Sequence, residues 1–206
     1  MATKSQLFRP AIRFNLCLVF LLCFSFINAQ VTDEEQVNLN KPETELPPDI
    51  LWDVKAYRPE AVLLKVKAID KRGRQYDVKA IQYSDDTSVL DVKILMNGER
   101  IPVKLLVKSG DEYYPLKGIT PDGTIIDIKA LSERGEILPV KGVSKSGNVI
   151  HIRAISGGTI FYNIVAISPE GKFNDVKGIK MLSTETEANI YGVPIFSHVK
   201  ALHQNY

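Results

Sequence analysis

The amino-acid sequence predicts an all-β fold: an antiparallel up-and-down meander of about 11–12 strands from a 12-residue repeat, forming a closed or flattened barrel or a two-sheet sandwich. Three observations predict it. A short phrase recurs in twelve copies, an apolar residue followed in eleven of them by a cation, then in ten by a small residue, as in Val78-Lys79-Ala80-Ile81. Its first position recurs as Val54, Val66, Val78, Val92, Val103, Leu116, Ile128, Val140, Ile152, Ile164, Val176 and Val199, at spacings of 12, 12, 14, 11, 13, 12, 12, 12, 12, 12 and 23. Such a period means one supersecondary unit placed beside copies of itself. Within a copy such as Tyr76-Asp77-Val78-Lys79-Ala80, apolar residues sit two apart with charges between them, the period of a strand with one dry and one wet face. Turn signals separate the copies: Gly73, Gly98, Gly110, Gly123, Gly135, Gly147, Gly158 and Gly171.

The first element is not part of the repeat. Lys4, Arg9 and Arg13 precede an apolar run from Leu16 to Ile27, and Ala29 follows as a small residue, the order of a secretory signal peptide over residues 1–29. A dozen apolar residues reach only about 18 Å as a helix, short of the roughly 30 Å of a bilayer core, so cleavage is expected rather than anchoring. Cys17 and Cys23 both lie in this leader. The exported chain is therefore expected to hold together by packing alone, without disulfides and without a membrane span. Residues 30–49 carry six acids, Lys41 and three prolines, too polar for a core of their own, and read as an extended acidic segment.

Residues 50–206 form the predicted β-repeat domain. Asn97-Gly98 between two alternating runs is a hairpin signature, because both residues tolerate positive φ. Pro121-Asp122-Gly123 and Pro169-Glu170-Gly171 fit a type I turn closed by a left-handed glycine. The inward face has a large first residue (Trp52, Leu64, Tyr76), a branched one next, then Ala or Gly in ten of twelve copies. A dozen strands accumulate enough twist to curl or split, which favours closure over an open sheet. On the other face, an Asp before the key residue and a Lys after it predict a checkerboard of opposite charges between neighbours. Pro102, Pro115 and Pro139 occupy the Asp position, where an interior strand needs its N–H; the strands are expected to bend there. Residues 181–197 depart from the repeat and bring Glu185 and Glu187, making this irregular segment a first place to look for a site.

The chemistry expected from the sequence is sparse. Of His151, His198 and His203, two stand at strand positions that elsewhere hold Asp, with no nucleophile-elbow pattern, no zinc spacing, and no calcium-loop spacing around Asp85-Asp86. No catalytic residue, metal ligand or cofactor is assigned. Tyr113, Phe161 and Phe196 are aromatics at strand positions, suited either to stacking on sugars or simply to forming strands. No basic block is present to grip phosphates, which argues against nucleic acid.

The phrases Asp-Val-Lys-Ala-Ile (77–81), Asp-Ile-Lys-Ala-Leu (127–131) and Asp-Val-Lys-Gly-Ile (175–179), behind a leader ending Asn28-Ala29-Gln30, resemble an uncharacterised family of secreted bacterial proteins, mainly from Bacteroidota. The resemblance covers roughly residues 48–202; it implies export and a repeat fold, and no activity. The resulting expectation is an exported, non-enzymatic protein with a binding or structural role in the periplasm, at the cell surface or outside the cell, its partner a polysaccharide or an envelope protein. The alternative is a secreted hydrolase whose acids come from separate strands or from the 181–197 segment.

Overall fold

The computed structural model describes residues 48–61, 63–108, 110, 112–180 and 188–204. The leader, most of the acidic segment, Glu185 and Glu187 lie outside the described residues. Among the described residues there are thirteen strands and no helix: β1 (Ile50–Tyr57), β2 (Leu64–Ile69), β3 (Gln75–Gln82), β4 (Val89–Met96), β5 (Glu99–Leu106), β6 (Tyr114–Ile119), β7 (Ile125–Leu131), β8 (Ile137–Ser146), β9 (Val149–Ser156), β10 (Ile160–Ile167), β11 (Phe173–Ile179), β12 (Ala188–Ile190) and β13 (Val193–His203). Twelve of them carry one copy of the repeat each; β12 is a short addition paired to β13. The predicted turns form as expected. Asn97 and Gly98 have φ of 52° and 83°. In the β6–β7 turn the Gly123 N–H donates to the Thr120 carbonyl at 2.9 Å, and Thr120 N–H to that of Thr124 at 3.0 Å. The turns closed by Gly73, Gly135 and Gly171 repeat the same two bonds, which is why the glycine recurs at one phase of the period.

All pairings are antiparallel and form one sheet, but not a regular barrel. One edge of each repeat strand runs along a single partner: β1–β10, β2–β7, β3–β4, β5–β6, β8–β9 and β11–β13. The other edge is divided between two partners that also pair with each other. Four such three-strand junctions result: β1–β2–β3, β4–β5–β13, β6–β7–β8 and β9–β10–β11. Each of the six ladders joins a different pair of junctions. Four corners joined by six edges is the connectivity of a tetrahedron, and twelve units is the number that symmetry requires. Both edges of every repeat strand are thereby occupied, which removes the exposed edges an open sheet would present.

The repeat's size gradient follows from these pairings. Across the ladders the branched residue of one strand meets the small residue of the other, as in Val54↔Ala166, Val66↔Ala130 and Val140↔Ala154. Across the junctions the small residue meets the neighbour's large first residue, as in Trp52↔Ala80 and Ala130↔Leu138. The interior of the shell is filled by these side chains, with Ala56, Ala68, Ala80 and Ala130 fully buried. Ile94 and Leu105 are the two large residues at the small position, and glycines accommodate them. A Cβ on Gly118 would overlap Ile94 Cδ1, and one on Gly178 would lie 2.5 Å from Leu105 Cδ1.

The prolines now have a physical account. Pro102 faces Lys93 of β4 just before that edge passes to β13 at Lys104. Pro115 faces β8 just before the edge passes to β7, and Pro139 faces β7 just before it passes to β6. A ladder is interrupted where an edge changes partner, so a residue without an N–H is tolerated there.

The expected checkerboard holds only at the junctions. There Lys67 meets Asp77, Lys79 meets Asp53, Lys117 meets Asp127 and Lys200 meets Asp91, each as an ion pair. Across the ladders like faces like: Lys67↔Lys129, Lys79↔Lys93, Lys104↔Lys117, Lys141↔Arg153 and Lys177↔Lys200. The reason is symmetry. A ladder is centred on the cation position, which must then pair with itself, whereas a junction pairs that position with the residue two places earlier.

Candidate functional site

With the interior filled by apolar side chains, chemistry is displayed on the outer face; three of the four junctions keep a single acid there, and β4–β5–β13 is set apart by burying one of its lysines against a histidine. At the β4–β5–β13 junction the acid positions hold Asp91, Pro102 and His198, and the cation positions hold Lys93, Lys104 and Lys200. Lys93 therefore faces proline and Lys104 faces histidine. Lys104 is 8% exposed, far more buried than a lysine usually is. Its Nζ contacts Nδ1 of His198, a residue 94 positions away in the chain. Asp91 accepts from Lys200 and lies 3.9 Å from Lys93 Nζ.

The electrostatics follow from three lysines around one carboxylate. Burial first, then the charges of Lys93 and Lys200, bring the Lys104 amine down to about 8. Burial and the neighbouring lysines also lower His198, which keeps the imidazole neutral and able to accept from the amine. Burial would raise Asp91, but the bond from Lys200 and the charges of its neighbours outweigh it and keep the carboxylate ionised. Lys93 and Lys200 remain half-exposed at the rim. An oxyanion placed there gains charge-assisted hydrogen bonds and relieves repulsion among the lysines. The arrangement can hold a negative charge at its rim.

The sign of the pH dependence is fixed by the Lys104 amine. Its folded value of about 8 lies below the ordinary 10.5, so between those pH values the unfolded chain binds more protons. Stability contributed by this group is lowest below pH 8 and rises as pH climbs through the window. Denaturant midpoints measured at about pH 7.5 and about pH 9.5 are expected to show the wild type gaining on Lys104→Met by roughly 1–2 kcal/mol over that interval. Parallel slopes for the two proteins would contradict the assignment.

The other candidates are placed as follows. His151 sits at the β9–β10–β11 junction, its Nδ1 3.4 Å from Lys177 Nζ, and His203 ends β13. Asp86 caps the β3–β4 connection by accepting the Ser88 N–H at 2.8 Å, a turn role. Phe196 stacks on Tyr114 at 4.3 Å, with Lys108 and Lys180 over the two rings, whereas Tyr113 is half-buried and Phe161 is exposed on β10. A shallow groove of about 400 Å³ gathers Asp70, Glu99 and Asp122. Both oxygens of Asp70 are engaged by Arg72, Arg74 and Tyr76, and both oxygens of Asp122 by Thr120 and Thr124. Desolvation would raise Asp70, but its bonds to Arg74 and Arg72 bring it down to about 2, a poor proton donor. No group of three or more His, Cys, Asp or Glu among the described residues could hold a metal ion. No helix among them is long and apolar enough to cross a membrane.

The model of a family of unknown function, DUF7486, matches residues 48–202, which spans all twelve copies of the repeat. No curated protein and no solved structure matches the chain.

Proposed function

We propose that this chain, which belongs to the DUF7486 family of unknown function, is an exported, non-catalytic binding protein that holds an acidic polysaccharide on its lysine-rich outer face. The observation that carries the reading is the β4–β5–β13 junction, where Lys93, Lys104 and Lys200 surround the single carboxylate of Asp91. Export is supported by the order of charges and apolar residues in the leader, and a Bacteroidota-type envelope by the likeness of the repeated Asp-Val-Lys-Ala-Ile phrases to secreted proteins of those bacteria. A carboxylated or sulfated glycan fits the site because its charges are spaced along a chain, as the lysines are spaced across a rigid sheet. The hydrolase alternative needs carboxylates free to take up or give a proton, and Asp70 and Asp122 are spent on their own turns.

The test is retention of residues 30–206 on a glycan array that includes uronate-rich and sulfated polymers, beside neutral ones. Acidic polymers are expected to be retained at about 0.1 M salt and released near 1 M, where screening shortens the Debye length from about 10 Å to about 3 Å. Lys93→Gln together with Lys200→Gln is expected to lower retention at the lower salt. An array empty of acidic glycans, with an envelope pull-down also empty, would leave a purely structural role instead.

A further inference from the structure

A second place on the outer face departs from the repeat in the opposite sense. Eleven of the twelve copies carry Lys or Arg at the cation position; β10 carries Val165. Its acid position holds Asn163, so β10 is the one copy with no ionisable side chain at either outward position. The loss of charge coincides with a groove of about 410 Å³ lined by Tyr57, Asn163, Val165, Phe173 and Gln204. That volume lies within the range of about 300–1,000 Å³ common for small-ligand sites.

The residues converge from strands distant in sequence. The β1–β10 ladder sets Tyr57 opposite Asn163, and the β10–β11 pairing brings Phe173 opposite Ile167. The rings of Tyr57 and Phe173 stand 6.2 Å apart at 55°, forming a bent aromatic wall, with Phe173 41% exposed. Val165 is 1% exposed and makes a dry floor. Gln204 is oriented by donating to Asp175 at 2.6 Å. Asn163 presents an amide, both donor and acceptor, to the groove. An aromatic wall, an apolar floor and an uncharged amide suit a ligand with an apolar face and a rim of hydroxyls.

We propose that this groove is a binding subsite for an uncharged hexopyranose ring of a polysaccharide, stacked by its C–H face on Tyr57 and Phe173 and held through its hydroxyls by Asn163. The site rests on the polysaccharide reading above, and it adds a neutral-sugar contact separate from the lysine junction. Placing a cation at position 165, as the other copies do, would set a charge in the floor and spoil the apolar seat.

The experiment titrates the chain from Gln30 onward with cello-, manno- and malto-hexaose and follows backbone amide shifts by NMR. At least one of the three is expected to move the amides of Tyr57, Asn163 and Phe173 in a saturable way. Phe173→Leu and Asn163→Ala are each expected to weaken that binding about tenfold, with the remaining spectrum unchanged as evidence of folding. If none of the three sugars moves those amides while acidic polymers are still retained, this subsite is overturned and the lysine-junction reading stands. Saturable neutral-sugar shifts without retention of acidic polymers would do the reverse. Unchanged affinity in Phe173→Leu and Asn163→Ala would likewise overturn the subsite.

Discussion

Trp52→Ala is expected to lower the unfolding free energy by roughly 3–5 kcal/mol, a large part of the 5–15 kcal/mol typical of a domain. Trp52 is 1% exposed and fills the large first position of β1, facing Ala80 across the β1–β2–β3 junction. Because position 80 is already alanine, truncation leaves two small residues opposite each other and a cavity that rigid paired strands cannot close. The indole Nε1 also donates to Gln82 Oε1 at 2.9 Å, so the variant orphans an acceptor as well as losing area. Circular dichroism against urea checks the result; Trp52→Phe, which keeps most of the volume, is expected to lose less than half as much. Equal losses for the two variants would show that the cost is not the cavity.

Gly178→Ala is expected to destabilise by about 2–3 kcal/mol, although alanine is ordinarily the better strand residue. The added Cβ would lie 2.5 Å from Leu105 Cδ1, 2.7 Å from Ser197 Oγ and 3.2 Å from Ile150 Cβ, all on buried side chains. A Cβ at Gly142 would lie 2.8 Å from Ile150 Cγ2 and meet the same leucine at 3.0 Å. Leu105 thus intrudes on two glycines, and alanine at position 105 is what most copies of the repeat have. Leu105→Ala alone is expected to cost about 2–4 kcal/mol through its cavity. Combined with Gly142→Ala and Gly178→Ala it regenerates the common Ala pattern, so the triple variant is expected to be more stable than the summed single losses by at least about 2 kcal/mol. Additive losses measured by denaturant unfolding would show that these residues do not share one space.

The strands and turns were legible in the sequence because their causes are local. Alternation in Asp77-Val78-Lys79-Ala80 and the backbone freedom of Asn97-Gly98 act within a few residues. The ladders β1–β10 and β2–β7 were not legible, since no turn joins those strands and nothing local reports that an edge divides between two partners. For the same reason the charge pattern came out half right: Lys79 beside Asp53 is a junction contact, whereas Lys79 opposite Lys93 exists only because ladders pair like with like. Both candidate sites left traces in the sequence as breaks in the repeat. Pro102 and His198 interrupt the acid row, and Val165 interrupts the cation row. What the sequence withheld was that Pro102 and His198 belong to one junction, and that Tyr57 and Phe173 wall the groove over Val165. Asp70 shows the converse: an acid in a groove whose bonds to Arg72 and Arg74 are a turn lock rather than chemistry.

Both sites depend on strands meeting in threes, and interstrand nuclear Overhauser effects on isotope-labelled protein test this most directly. Contacts are predicted between β2 and β7 around Lys67 and Lys129, and from β5 to both β4 and β13 around Lys93, Lys104 and His198. Cross-peaks confined to strands adjacent in sequence, plus a single first-to-last pairing, would mean an ordinary barrel and would contradict the account.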